Sequence, residues 1–330
     1  MEKTDVTQCA VAVLSGGWSD ERDISLQSGM ACMGALREAG FVRVELLDIA
    51  APDFAARLLD GRFDVAFVAL HGRYGEDGCI QGLLEVLHIP YTFSGVLASA
   101  VGTEKAVAKA LYREAGIPVP EGVDLPEGTR LTSDQADRLV RRLGLPLFVK
   151  PAANGSSFGV TRVTETAQLA DAVARAASEG DRVLVETRVE GTEITVPVIG
   201  NDDPVALPIV EIAFDSEFYD AKVKYEPAAL HHVIPARLDQ TTYERASELA
   251  VRAHRALGCR GVSRSDFIVT AEGAPVILET NTIPGMTETS LLPDSARHAG
   301  IGFPDLCCRF VELALEGRGV TGGTSGGGEA

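Results

Sequence analysis

"DVAFVALHGRYGEDGCIQG", residues 64–82, joins an apolar run to a turn that holds a histidine, an arginine, a tyrosine and two acids among three glycines. Residues 65–70 have the length and β-branched content of a buried strand, so His71 falls where a strand ends and a loop begins. In open α/β sheets that end of the strand is where ligands bind. A polar, glycine-rich surface turn is the competing reading of such a loop taken alone. The choice between them depends on the rest of the chain.

Upstream, "QCAVAVLSGGWSDERDISLQSGMACMGALREAG" (residues 8–40) runs from an apolar strand through a Gly-Gly turn into an amphipathic helix, and "RVELLDI" reads as a second strand. Strands alternating with helices predict a doubly wound parallel sheet over residues 1–102. Downstream, the helix "TEKAVAKALYREAG" opens a second unit, residues 103–189, whose strands "LPLFVKPA", "VTRV" and "RVLVET" flank the helix "AQLADAVARAASEG". A third unit, residues 190–317, holds the strand "GTEITVPVIG", a long helix near 240–257, a strand pair around "AEGAP" and a last helix ending near Leu315. The glycine-rich tail 318–330 predicts disorder. The expected fold class is thus α/β followed by α+β, in three domains.

Composition narrows the partners. A net charge of −17 without any lysine or arginine block excludes nucleic acid and anionic membranes, so an anionic ligand must meet a local cluster of cations. The six cysteines show no Cys-x-x-Cys spacing, the N-terminus lacks the pattern of a signal peptide, and no apolar run is long enough to span a bilayer. These features predict a cytoplasmic protein with reduced thiols.

Four stretches carry chemistry. Lys150 ends a strand and is followed by "PAANGSSFG", whose glycines and serines can turn N–H groups toward an oxyanion; a hairpin tip is the alternative. Lys105 and Lys224 are further candidate cations. In "SRSDFIVTAEGAPVILETN" (263–281), hairpin pairing brings Asp266 beside Glu279, while strict alternation puts Ile277, Glu279 and Asn281 on one face and Leu278 on the other. Three hard oxygen ligands suit Mg²⁺; solvated edge-strand acids are the plainer reading. "RVLVETRVEGTEITV" places Glu186 and Glu193 as acceptors for a base and a ribose, or as surface carboxylates. "FYDAKVKYEP" and "TNTIPGMTETSLLP" have the composition of a lid and a substrate-binding turn.

In that order, these stretches resemble the D-alanine:D-alanine ligases of the ATP-grasp superfamily over about residues 10–315. "HGRYGEDGCIQG" matches the family's first signature throughout. "GVSRSDFIV" and "ILETNTIPGM" match its second, with Ser265 and Thr280 standing where the family has apolar residues. "LSGGWSDE" lacks the Gly-x-Gly-x-x-Gly of a dinucleotide fold. The resemblance implies an ATP-dependent ligase that phosphorylates one D-alanine and joins it to a second for peptidoglycan precursor synthesis. It implies Lys105, Lys150 and Lys224 on the phosphates, and Asp266, Glu279 and Asn281 on two Mg²⁺ ions, with Mn²⁺ an acceptable substitute. Glu186 and Glu193 would take adenine and ribose, with Phe218 and Leu278 packing the base. Glu21 would take the first substrate's ammonium, His71 would lie near its carboxylate, and Ser290 with Leu291 would receive the second substrate's carboxylate. Arg264 and the N–H of Gly285 would form the oxyanion hole, and Glu21, Ser156 and Tyr225 a hydrogen-bonded trio ordering the lid.

Thr187 replaces a family lysine facing the adenine, and Ala221 and Lys222 replace a tyrosine and a glutamate in the lid. The retained Lys224–Tyr225 pair predicts D-alanine over D-lactate as nucleophile. Partners are then small molecules, with a homodimer as the assembly to test for. A ligase or cyclase acting on another D-amino acid derivative, and a nucleotide-binding regulator without catalysis, are the rival readings.

Overall fold

The computed structural model describes residues 5–153, 159–179, 182–214 and 230–316. The expected lid, residues 216–229, and the tail, 318–330, lie outside the described residues.

Residues 5–93 form the parallel sheet. Strands β1 (Ala10–Ser15), β2 (Arg43–Asp48) and β3 (Val65–Val68) pair in the order β2-β1-β3, with helices α1 (Arg22–Glu38), α2 (Phe54–Asp60) and α3 (Cys79–Val86) between and after them. β1 and β3 are buried at every position, which is why they read as unbroken apolar runs rather than alternating ones.

Next come α4 (Val96–Thr103) and α5 (Lys105–Glu114), then β4 (Gly122–Leu125), α6 (Ser133–Leu143), β5 (Leu147–Pro151), β6 (Thr161–Val163), α7 (Leu169–Glu179) and β7 (Val183–Thr187). These strands make an antiparallel sheet in the order β4-β7-β5-β6. α4, α6 and β4 are absent from the sequence reading. For α6 a signal was present: Thr132 and Gln135 form a reciprocal capping box, the Thr-x-x-Gln pattern of a helix start. Its apolar periodicity was a second signal: Ala136, Leu139, Val140 and Leu143 recur at helical spacing and pack on the core of this sheet.

The third sheet contains β8 (Thr192–Ile199), β9 (Val205–Ala206), β10 (Val210–Phe214), β11 (Leu230–Val233), β12 (Val262–Val269) and β13 (Pro275–Asn281), ordered β11-β10-β8-β12-β13 with β9 on β8. Helix α8 (Gln240–Leu257) packs on β8, β12 and β13, while α9 (Leu291–His298) leads to α10 (Phe303–Leu315). α10 returns to the N-terminal sheet: Leu306, Cys307, Phe310 and Val311 share one core with Val13, Phe67 and Phe93. A second core lies under α8 and a third under α6 and α7.

Candidate active site

The first part of the site is built where β1 and β3 end. Ser25 Oγ accepts from Gly16 N at 2.9 Å and donates to the Ala69 carbonyl at 2.8 Å, tying the two loops together. Ser19 Oγ donates to the His71 carbonyl at 2.7 Å. Gly72 sits at φ +72°, and a Cβ there would lie 2.9 Å from Ser19 Cβ and 3.1 Å from Glu21 Oε2, so only glycine lets the loops approach. Glu21 and His71, far apart in sequence, thereby come to one place.

The His71 ring is buried, with Nε2 3.2 Å from Ser28 Oγ and Nδ1 3.4 Å from Glu76 Oε1. The Glu76 carboxylate favours the proton on Nδ1, which leaves Nε2 to accept from Ser28. The acids of this loop are expected to orient neighbouring loops rather than to catalyse; Glu76 lies against the histidine ring, and its backbone carbonyl accepts from Thr103 Oγ1 at 2.9 Å. The opening turn is thus a shaped loop whose polar groups bond one another.

The second part lies on β12 and β13. Asp266 pairs opposite Glu279 and Arg264 opposite Asn281. Asp266 accepts from Arg264 Nε and Nη2, each at 3.1 Å, from Asn281 Nδ2 at 3.2 Å, and from Thr195 Oγ1. Glu279 Oε2 lies 3.0 Å from Lys105 Nζ. Glu76, Thr103, Lys105, Glu279 and Asn281 line one cleft, which joins the His71 loop to the paired carboxylates. Two carboxylates and an amide on adjacent strands form an all-oxygen set fit for a hard divalent cation, and here each carboxylate is matched by a cationic side chain instead.

Strict alternation fails on β13. Asp266 opposes Glu279 but Phe267 opposes Ile277, so Leu278 is the extra residue of a β-bulge. Ile277 is therefore buried in the core, while Leu278, Glu279 and Asn281 are all half-exposed. The bulge turns Glu279 and Asn281 out of the core phase that Ile277 keeps. The unusual Ser265 and Thr280 explain each other: their hydroxyls are 2.8 Å apart across the strand pair, and the Tyr112 hydroxyl of α5 donates to Thr280 Oγ1 at 2.7 Å. This buried trio braces the strands between the metal-type ligands.

The third part is a cluster of lysines. Lys105, Ala108, Lys109 and Tyr112 recur at helical spacing and form the buried face of α5. Glu186, at the end of β7, bridges two ammonium groups: Oε1 is 2.7 Å from Lys109 Nζ and Oε2 is 2.6 Å from Lys150 Nζ. Burial raises the Glu186 carboxyl, but Lys150 and Lys109 outweigh it and hold the group below its ordinary value. Burial and the charge of Lys150 push Lys109 down to about 8 against the pull of Glu186. Lys150 is pushed down by burial and more than restored by Glu186 and Glu279, ending above its ordinary value. Glu186, expected on adenine, is here the counter-ion of the cluster. Lys109 was missed by the sequence reading, although a second lysine four residues from Lys105 on an alanine-rich helix was the available signal.

At the far end, Ser290 occupies the N-cap position of α9, but its Oγ accepts from Thr287 N at 3.2 Å and pairs with Thr287 Oγ1 at 2.7 Å rather than capping the helix. Leu291 is the first residue of α9, and a Cβ on Gly285 would lie 3.0 Å from Ser290 Oγ, so these three residues are adjacent. Glu193 is on β8, half-buried, opposite Ile268. Ser156, Phe218, Lys224 and Tyr225, with the departures Ala221 and Lys222, lie outside the described residues.

Comparison with known proteins shows the family. The family described as D-ala D-ala ligase C-terminus matches residues 111–312, and D-ala D-ala ligase N-terminus matches residues 50–94. The D-alanine--D-alanine ligase of Pelotomaculum thermopropionicum is 45% identical over 313 residues, 94% of this chain and 98% of that one. That of Anaeromyxobacter sp. strain K is 49% identical over 304 residues, covering 92% and 96%. The crystal structure of D-alanine--D-alanine ligase from Bacillus anthracis complexed with ATP superimposes with a TM-score of 0.80 at 31% identity, covering 93% of this chain and 97% of that one. With both family regions matched and near-complete coverage of relatives at 45–49% identity, this chain belongs to the D-ala D-ala ligase family.

Proposed function

We propose that the chain joins two D-alanines to D-alanyl-D-alanine at the expense of ATP, supplying a peptidoglycan precursor. The γ-phosphoryl group passes to the carboxylate of the first D-alanine, giving an acyl phosphate and ADP. The amine of the second D-alanine attacks that carbonyl, loses a proton, and expels phosphate. Both the carboxylate and the triphosphate are anionic, so the site must neutralise charge before they meet. The observation that carries the reading is the cleft where Lys105 and Glu279 pair at 3.0 Å beside Glu76, which holds the first-substrate histidine.

In this reading Glu21 binds the first ammonium and His71 lies near its carboxylate. Lys105 and Lys150, with Lys224, take the phosphates. Arg264 and the Gly285 N–H stabilise the developing oxyanion. Ser290 and Leu291 receive the second carboxylate at the start of α9, where helix N–H groups favour an anion. Glu186 and Glu193 read the adenine and ribose, with Phe218 and Leu278 against the base, and Glu21, Ser156 and Tyr225 order the lid. Asp266, Glu279 and Asn281 would hold two Mg²⁺ ions, which supply charge neutralisation on the phosphates.

A reaction fed by ATP belongs in the cytoplasm, and among the described residues no helix is long and apolar enough to cross a membrane. The partner we propose is a second copy of the chain. On α5 the exposed residues are Val107, Ala110 and Leu111, followed by Arg113 and Glu114; Val96 and Leu97 of α4 and Leu83 and Val86 of α3 are exposed too, Val86 at 76% and Leu97 at 75%. Exposed apolar side chains on three helices that contact one another in turn, α3 with α4 and α4 with α5, are the anatomy of a contact between copies rather than of a wetted surface.

Purified protein given ATP, Mg²⁺ and a panel of D-amino acids, alone and in pairs, tests the activity. ADP release with D-alanine alone and formation of the dipeptide are expected. A preference for another D-amino acid derivative, or no turnover with tight ATP binding, would establish one of the rival readings. Equimolar D-alanine and D-lactate in one reaction should yield the dipeptide.

A further inference from the structure

Glu186 has two duties that conflict. The proposed reading sends its carboxylate to the adenine amino group and sends Lys150 to the phosphates, yet the two side chains are paired with each other at 2.6 Å. A carboxylate with 2% of its residue exposed needs a counter-charge at every stage of binding. Lys150 stands at the end of β5, just before the Gly-Ser loop, and 14% of its side chain is exposed; Lys109 is sealed behind Glu186 on α5 with 1% exposed. Of the two side chains, Lys150 reaches solvent in part and Lys109 does not.

Building on the function proposed above, we infer that Lys109 is a positioning residue that sets the preference for adenine: it keeps Glu186 anionic and fixed through Oε1 once Lys150 has turned to the phosphates. Oε2 is then released toward the base. A carboxylate accepts from the exocyclic amine of adenine, whereas guanine presents a carbonyl oxygen in the same place and is repelled. Because Lys109 is a buried donor on the side of Glu186 opposite Lys150, the carboxylate cannot rotate to offer anything else. Lys109 touches no substrate; it acts through Glu186.

The test is equilibrium binding of ATP and of GTP, without D-alanine, to the full chain and to Lys109→Met, Lys109→Arg and the double variant Lys109→Gln/Glu186→Gln. Lys109→Met should weaken ATP by at least ~10-fold and narrow the ATP-to-GTP ratio by a similar factor. Lys109→Arg, which keeps the charge, should restore part of that ratio. The double variant replaces the ion pair with amides of similar shape, which protects the fold if the single change does not tolerate burial. It should bind ATP and GTP with nearly equal affinity. In steady state the loss should fall on KM for ATP and leave KM for D-alanine in place. An unchanged ATP-to-GTP ratio in any folded variant lacking the Lys109 charge would overturn the inference. Failure of the wild-type chain to make the dipeptide would count against the proposed reaction alone, since nucleotide preference is read without it.

Discussion

Glu279 shows how much can depend on one side chain. It shares β13 with Asn281, opposes Asp266, and pairs with Lys105 at 3.0 Å. Glu279→Gln keeps the shape and removes one charge from the oxygen set, so turnover should fall by at least ~100-fold while the far-ultraviolet circular dichroism stays that of the parent. Near-normal ADP release in millimolar Mg²⁺ would remove Glu279 from the machinery. Trp18, the chain's one tryptophan, offers a readout on the other substrate. It is 63% exposed on the loop that carries Glu21 and meets Tyr74 edge-on at 5.9 Å, so its emission should shift when D-alanine binds. His71, Asp266 and Glu279 could be named from sequence because the family's signatures keep them at fixed spacing. Lys109 and Glu76 could not, since each acts by holding another side chain, and that pairing exists only after the chain has folded.

At the scale of elements, the sequence conveyed most strands and the long helices but missed α4, α6 and β4 and the irregularity within β13. Hairpin pairing correctly brought Asp266 beside Glu279, but alternation could not reveal the bulge at Leu278, because one extra residue leaves no mark in composition. The Ser265–Thr280–Tyr112 trio belongs to the same strands. Thr280→Val would leave the Tyr112 and Ser265 hydroxyls buried without their partner, costing about 1–3 kcal/mol in urea unfolding. Adding Ser265→Ala and Tyr112→Phe should recover much of that loss, because no hydroxyl is then stranded. Helix α8 holds a second buried polar group. His254 Nδ1 lies 2.8 Å from Ser263 Oγ of β12, and burial, with Arg255 beside it, pushes the ring down to about 4. The unfolded chain binds this proton first, near pH ~6.5. The contribution of the neutral ring is therefore complete above pH ~6.5, declines as pH falls, and is exhausted by pH ~4, a total of about 3 kcal/mol. Unfolding curves from pH 7 to 5 should steepen in this way, and His254→Gln should flatten the slope.

For the whole molecule, the apolar face of α3, α4 and α5 makes a prediction about mass. Sedimentation should find a dimer at micromolar concentration, and Leu97→Arg with Val86→Glu should yield a monomer that retains the parent circular dichroism. A monomeric parent would show that the face serves something else. Composition alone pointed neither way, since an excess of acidic charge keeps copies apart on average while exposed apolar side chains favour contact.

Helix α5 has its expected polarity reversed: two lysines and a tyrosine turn inward, and Val107, Ala110 and Leu111 turn outward. Among the described residues it has one face in the lysine cluster and the other in the proposed contact between copies. Thermodynamic reciprocity then applies to the pair of events: whatever factor nucleotide contributes to association, association returns to nucleotide affinity. For a chain that dimerises through this face with such a factor different from one, the dissociation constant for ATP would depend on how concentrated the protein is, and dilution itself would become a variable of the enzyme's chemistry.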